Sequence, residues 1–365
     1  MKSKFQSFLN RAVHNRVSRQ IYRNICLKQL RQCGVNVHYG PGETVQSMQI
    51  GSVAITPLQI KQYLPSLEKC AALMAAGRFR IIAEQGASRL LLQSESKVVA
   101  LPPVSTLIDY LGGIIKHWNS LELDETHNVH SIAGVTLEGE LARVNYRGAW
   151  LEYEVSPKWA EESLEEVFFW SDLLSNYHYR VGPPPRDGIV FDLGSYHGLF
   201  GIAAAIDVGP GGRVFCFEPD AKSRSTLEAN CKRNDLTNIE VIQAGVSGRT
   251  EKRSFVSLGG LGSCLGCQSN ATQDVVQVYS LPDCCKIAGI DTPTFVKADI
   301  EGAEVEMVES CLEWIKGLPS TVFSIASYHI VDGESTRIRL EQAFRKVKYH
   351  VSTTPSGHQT TIAWR

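Results

Sequence analysis

Residues 189–219, IVFDLGSYHGLFGIAAAIDVGPGGRVFCFEP, constrain the fold more than any other stretch of the chain. Ile189, Val190 and Phe191 form a short apolar run that enters Asp192-Leu193-Gly194, and Gly198 follows four residues after Gly194. An apolar stretch of helical character comes next, then a glycine-rich turn at residues 209–212. A second apolar run, Val214 to Phe217, ends on Glu218-Pro219. Strand, glycine turn, helix, strand and terminal acid is the order in which a doubly wound sheet builds a nucleotide pocket at its carboxyl edge.

The alternation continues to the end of the chain. Helices are expected at 198–207, 221–234, 303–316 and 334–346. A third strand is expected from Ile239 to Val246, a fourth from Thr294 to Ala298 and a fifth from Thr321 to Ser327. His350 to Thr354 and Thr360 to Trp364 can close the sheet antiparallel. Residues 249–281, with glycines at 259, 260, 262 and 266, read as irregular or β-like. Strands and helices at this spacing predict an α/β fold with a mostly parallel sheet covered on both faces.

Ahead of this region the pattern changes. A length of 365 residues suits two domains. Residues 1–42 carry no acid but many Lys and Arg, with Phe5, Phe8, Leu9, Val13, Val17 and Ile21 at helical spacing. This predicts a basic amphipathic helix that packs on the protein, lies on an anionic membrane surface or serves as an organelle presequence. Residues 43–155 read as an α+β domain, with helices at 58–76 and 104–118, short strands at 78–83, 89–93 and 97–101, and a meander from Ile132 to Val155. No catalytic or metal-binding pattern is readable there. An acidic amphipathic helix at 159–178 and the stiff run Pro183-Pro184-Pro185 lead into the core unit, so the second domain is expected at 156–365.

A net charge of −1 gives no basic field for nucleic acid, and no apolar run has the ~18–20 residues of a membrane span. The ten cysteines are scattered, without a secretory signal ahead of them, which fits reduced thiols in a cytoplasmic protein. Cys264, Cys267, Cys284 and Cys285 offer four thiolates, but adjacent cysteines seldom share one ion, and no metal is expected.

A dinucleotide fingerprint wants glycine where Asp192 stands, so that backbone can approach a pyrophosphate. An acid there repels phosphate and suits a ligand with a cationic amine, such as S-adenosylmethionine. Gly194 lets the backbone pass near that ligand, Gly198 permits a tight turn into the helix, and Glu218 can accept from both ribose hydroxyls. In the second cluster, Lys297-Ala298-Asp299-Ile300-Glu301-Gly302, a strand ends in acids that face the crevice above the sheet. The plainer reading of these acids is a favourable helix N-terminus.

The segments VFDLGSYHGLFGIAAA, GGRVFCFEPD, LTNIEVIQAGVSG, TFVKADIEGAEVEMV and SIASYH follow one another in order and spacing. Together they resemble the FkbM-type S-adenosylmethionine-dependent methyltransferases, over about residues 160–365. The resemblance implies the class I Rossmann-like methyltransferase fold and O-methylation of sugars, lipid-linked glycans or secondary metabolites. It places Asp192, Gly194 and Gly198 on the methionine side of the cofactor, Glu218 on the ribose, and Ala244 and Gly245 beside the adenine. Asp299 and Glu301 would face the transferred methyl, with His329 closing the acceptor site. An alcohol acceptor gains from a base, for which His329 and Asp299 are the candidates. Two departures stand out: Ser195-Tyr196-His197 replaces the family's usual G-A-N-x-G loop, and Ala326, Ser327 and Tyr328 stand where the family often has Glu. The competing readings are a scaffold that kept the fold without turnover, and a nicotinamide oxidoreductase, against which the missing G-x-G-x-x-G argues. A small-molecule or glycan acceptor is the expected partner.

Overall fold

The apolar strands that follow Gly188 come together as one seven-stranded sheet in the computed structural model of the chain. The described residues are 25–39, 45–50, 53–54, 67, 74–75, 78–83, 90–94, 97–101, 114–115, 118–123, 125, 129–132, 135–138, 141–154, 182–256, 264–265, 273–331, 333–354 and 359–365. Most of the basic helix expected at the start of the chain, most of the helices expected at 58–76 and 104–118, and the acidic helix at 159–178 lie outside them. Among the described residues no helix is long and apolar enough to cross a membrane.

The sheet strands are β1 (Ile189–Leu193), β2 (Arg213–Phe217), β3 (Ile239–Ile242), β4 (Phe295–Ala298), β5 (Val322–Ala326), β6 (His350–Thr353) and β7 (Thr360–Trp364). They stand in the order β3-β2-β1-β4-β5-β7-β6. The first five are parallel, and β7 runs antiparallel to both neighbours. Helices α1 (Leu199–Val208), α2 (Ala221–Arg233), α3 (Leu281–Ala288), α4 (Glu304–Ser310), α5 (Leu312–Gly317) and α6 (Thr336–Lys346) accompany it. The central strands are buried on both faces, which is why they read as unbroken apolar runs rather than alternating ones. Phe191, Phe215, Phe217, Phe323 and Phe344 fill the core. After β3 the chain returns to lie beside β1, so β1 and β4 flank the switch point where open α/β sheets bind ligands.

Two expectations about these elements are corrected, while the β-like reading of residues 249–281 holds for its described strands. The third strand ends at Ile242, where Ala244 N–H bonds back to Ile242 O, and Gly245–Val246 leaves for a second sheet. That sheet also contains Gln273–Tyr279, Glu251–Val256 and Cys264–Leu265, so the glycine-rich region is flanked by ordered strands. The helix expected at 303–316 is two, with Cys311 ending α4 and starting α5.

The chain divides into two compact units: Met1–Glu140 with Val155–Phe168, and Leu141–Glu154 with Phe169–Arg365. In the first unit, Arg80–Ala83, Leu90–Ser94 and Lys97–Leu101 form an antiparallel sheet. Val35–Tyr39 pairs with Val45–Ile50. The hairpin of Leu141–Tyr146 and Ala149–Glu154 belongs to the second unit, not to the domain ending at 155 as expected. Asn234 donates to Glu152 O at 2.7 Å and accepts from Glu152 N–H at 2.8 Å, as a strand neighbour would. Asn230 accepts from Glu154 N–H at 2.8 Å. At the far end of the hairpin, Asp207 accepts from Tyr146 Oη at 2.8 Å and pairs with Arg147 at 2.9 Å.

One buried ion pair sits at the middle of the sheet. Asp192 and Lys297 are register partners on β1 and β4, and Lys297 Nζ lies 2.9 Å from Asp192 Oδ1. Nζ also donates to Gly194 O at 2.8 Å. Both residues are almost inaccessible, at 0% and 5% exposure. Burial opposes the ammonium, but the carboxylates of Asp192 and Asp299 more than offset it and hold the Lys297 pKa above its ordinary value. Removing one partner leaves the other charge buried and alone. Asp192→Ala is therefore expected to cost about 3–5 kcal/mol in urea unfolding, and the double change Asp192→Leu with Lys297→Met to cost much less. Equal losses in the two variants would show that the pair is not what the fold feels.

Candidate functional site

Five parallel strands deliver their carboxyl ends to one edge, and the candidate residues follow from where each strand stops. β1 stops at Leu193, and Gly194 turns with φ +70°. A Cβ on Gly194 would stand 2.0 Å from Asp299 O, so the glycine is required by the backbone of the loop after β4. Gly198, at φ +92°, starts α1, and a Cβ there would meet Leu227 Cδ1 at 2.1 Å. The two glycines let β1, the β4 loop and α2 close up on one another.

The unusual loop Ser195-Tyr196-His197 is tightly held. Ser195 Oγ donates to Asp192 O at 2.7 Å, and Asn230 Nδ2 donates to His197 O at 3.1 Å. Tyr196 adopts φ +49°, and its ring stacks on His197 with centroids 3.7 Å apart. Tyr196 N–H donates to Glu218 Oε2 at 2.7 Å, and Asp220 N–H donates to Oε1 at 2.9 Å. Glu218 is thus fixed at the end of β2, 6% exposed. Burial raises its pKa to about 7, against the two backbone donors that pull it down. Ala244 and Gly245 are buried just past the end of β3.

The ends of β4 and β5 meet. Tyr328 Oη donates to both oxygens of Asp299, at 3.1 Å each. His329 Nε2 lies 3.3 Å from Glu301 Oε2 and 3.7 Å from Asp299 Oδ1. Its Nδ1 lies 3.0 Å from Glu304 Oε1. Glu301 and Gly302 both take positive φ, +54° and +101°, which bends the chain sharply between β4 and α4. Glu304 is fully buried, and its oxygens accept from Ile300 N–H at 2.8 Å and Gly302 N–H at 3.0 Å. Burial works against a charged imidazole, but Glu301, Glu304 and Asp299 prevail and raise the His329 pKa to about 10. Burial, with Asp299 and Glu301 beside it, pushes the Tyr328 phenol up as well. Ligand atoms of Asp299, Glu304 and His329 all lie within 4.8 Å of one another.

The structure therefore gathers Asp299, Glu301 and His329, and it sets Gly194, Glu218, Ala244 and Gly245 along the same edge. Asp192 is the exception. Its carboxylate is closed inside the sheet on Lys297 and presents no free charge to a ligand, so the acid that was expected to meet a cationic amine is a structural one. Three participants escaped the sequence reading. Lys297 was legible as a lysine inside the apolar run F-V-K-A, since a charge in a doubly buried strand needs a partner. Glu304 was hidden because an acid early in a helix is ordinary. Tyr328 was visible only as a departure from the family's usual Glu, with no role attached to it.

Residues 192–344 match the model of the methyltransferase FkbM domain. Among solved structures, an FkbM methyltransferase from Methylobacillus flagellatus KT is 21% identical, over 56% of this chain and 55% of that protein, with a TM-score of 0.36. The chain therefore spans about half the length of that protein. An S-adenosylmethionine-dependent methyltransferase from Aquifex aeolicus is 14% identical, over 57% of this chain and 94% of its own, with a TM-score of 0.33. Fibrillarin from Aeropyrum pernix, solved with bound S-adenosyl-L-methionine, is 11% identical, over 63% and 96%, with a TM-score of 0.35. No curated protein matches the sequence.

S-adenosylmethionine is the cofactor of this domain. The donor set fits it: carboxylates of Glu218, Asp299 and Glu301 stand along the edge, while the nearby Lys297 ammonium is spent inside the sheet and leaves no charge there for a phosphate. The Glu218 carboxyl gives a direct check. With its pKa raised from 4.5 to about 7, it favours the folded state most below pH 4.5, and this advantage is lost as pH rises through 7. In the cofactor-free protein, the unfolding free energy of wild type should fall relative to Glu218→Gln by about 3 kcal/mol across that window. Parallel stability–pH curves for the two proteins would refute the assignment.

Proposed function

We propose, for a chain whose residues 192–344 are a methyltransferase FkbM domain, transfer of a methyl group from S-adenosylmethionine to a hydroxyl of a sugar, a lipid-linked glycan or a secondary metabolite. The observation that carries this reading is the convergence of Asp299, Glu301, Tyr328 and His329 at the ends of β4 and β5, beside the switch point. Bound there, the cofactor supplies a methyl on a sulfonium, which leaves as a neutral thioether.

The residues of the chain then have three tasks. Glu218 takes the ribose hydroxyls on lone pairs not used by the Tyr196 and Asp220 N–H groups. Ala244 and Gly245, small and buried after β3, leave room for the adenine. Gly194 keeps the wall of the pocket at backbone thickness. With the cofactor bound, Asp299 would be placed to take the proton of an acceptor hydroxyl held at the ends of β4 and β5. Tyr328 donates to both Asp299 oxygens and fixes their direction toward the acceptor. His329 carries positive charge at neutral pH, so between the two candidate bases Asp299 is the better acceptor of a proton. Alignment and exclusion of water do the rest, because the leaving group needs no help from an acid.

Asp299→Asn should lower methyl transfer by about 10²–10⁴-fold while leaving cofactor affinity within about threefold. The measurements are calorimetry with S-adenosylmethionine and transfer of labelled methyl to a panel of neutral glycans and polyols. Cofactor binding without transfer to any hydroxyl acceptor would turn the reading to a binding protein. Failure to bind the cofactor would remove it altogether.

A further inference from the structure

An acid in the first turn of a helix ordinarily faces solvent and serves its own helix. Glu304, the first residue of α4, does neither. It is fully buried, and its oxygens reach back along the chain. Oε1 accepts from Ile300 N–H at 2.8 Å and Oε2 from Gly302 N–H at 3.0 Å. Those two amides flank Glu301, which takes φ +54° and is followed by Gly302 at φ +101°. A left-handed conformation at a residue other than glycine persists only where its surroundings over-determine it. Here the surroundings include one carboxylate that straddles the residue.

The same carboxylate touches the other strand end. Its Oε1 lies 3.0 Å from His329 Nδ1. The backbone of His329 is held separately, since its carbonyl accepts from Thr336 N–H at 2.9 Å, so the ion pair bears on where the ring points. Four groups face that ring: Asp299 and Glu301 from the loop after β4, Glu304 from α4, and Tyr328 from its own segment. The three carboxylates keep the imidazole protonated against its burial. Meanwhile α4 is anchored by other residues. Val305, Met307 and Val308 lie in the core, and Arg253 donates to both oxygens of Glu306, at 2.8 and 2.6 Å. Keeping a carboxylate out of water is costly, and what this burial secures is the bend and the ring. We propose that Glu304 is a positioning residue for the transfer step, holding the 300–302 bend and the His329 ring so that Asp299, Glu301 and His329 keep fixed places at the ends of β4 and β5. The kinetic consequence rests on the methyl-transfer reading, whereas the hold on the bend and the ring does not.

Glu304→Gln in the full chain tests this, because the amide keeps the shape but loses the charge and one acceptor. With the best acceptor of the glycan and polyol panel, kcat is expected to fall about 10–100-fold, while acceptor KM and cofactor Kd stay within about threefold. The His329 ring, followed by magnetic resonance in histidine-labelled protein without cofactor or acceptor, should titrate about 1–3 pH units lower than in wild type. Glu306→Gln breaks the Arg253 pair on the same helix and supplies a loss that is structural only, so its kcat should stay within about threefold of wild type. Equal kcat losses in the two variants, or an unshifted His329 titration in Glu304→Gln, overturn the proposal. Should Glu304→Gln not fold, Glu304→Asp takes its place, keeping the charge but withdrawing it by one methylene. The same kcat loss is then expected, and wild-type kcat overturns the proposal. If wild type methylates no member of the panel, the methyl-transfer reading fails, and the His329 titration decides the role of Glu304 by itself.

Discussion

The pairing of Asp192 with Lys297 is the constraint on which the rest of the second unit turns. It joins β1 to β4, where the strand order reverses, and it does so inside a layer of mostly apolar side chains. A second bond of the ammonium, to Gly194 O, ties that turn to the same point. Gly194 in turn allows the backbone of Asp299 to close against it. A charge pair at the centre of the sheet thus ties the loop after β1 to the end of β4. An apolar pair of similar volume would hold the strands but would not direct the Gly194 carbonyl.

Electrostatic order at the carboxyl edge follows from this arrangement. The buried ammonium of Lys297, midway along β4, is consumed internally by Asp192, which leaves acids at the ends of β2 and β4 along the carboxyl edge. Glu218 sits among backbone donors and Asp299 beside a phenol, which separates the environments of two carboxylates on the same rim. In the proposed methyl transfer, ligand binding and proton handling are thereby divided between strand ends on either side of β1.

Much of this was visible in the amino-acid order, for physical reasons. The central strands announce themselves because burial on both faces demands continuous apolar runs, and Asp299, Glu301 and His329 stand out because strand ends in such a sheet point at one edge. What the order of residues conceals is partnership. Asp192 looks like a ligand-facing acid until Lys297, 105 positions later, is seen in register with it. The third strand looked continuous through Val246 because nothing in IEVIQAGV marks the turn at Ala244. Asn230 and Asn234 look like polar residues at the end of an ordinary helix, and only their bonds to Glu152 and Glu154 show that a hairpin from far upstream is seated there. The residues before 141 are rich in strand-forming patterns, but no pattern of chemically active side chains is readable in their sequence.

That hairpin also has a consequence for how the protein is made. The second unit is entered twice: the chain supplies Leu141–Glu154, goes back to the first unit for residues 155–168, and then returns for good. During synthesis the hairpin emerges about 80 residues before Asn234, its amide partner. At ~5–20 residues per second it must wait on the order of 4–16 s with its outer edge and the buried-to-be Tyr146 unmatched. The order of appearance favours a hairpin that is locally stable on its own, and its tight Tyr146-Arg147-Gly148-Ala149 turn meets that need. Folding of the second unit is therefore not a matter of the matched stretch 192–344 alone. It is completed only when late helices close on an early piece of chain that has been kept ready for them.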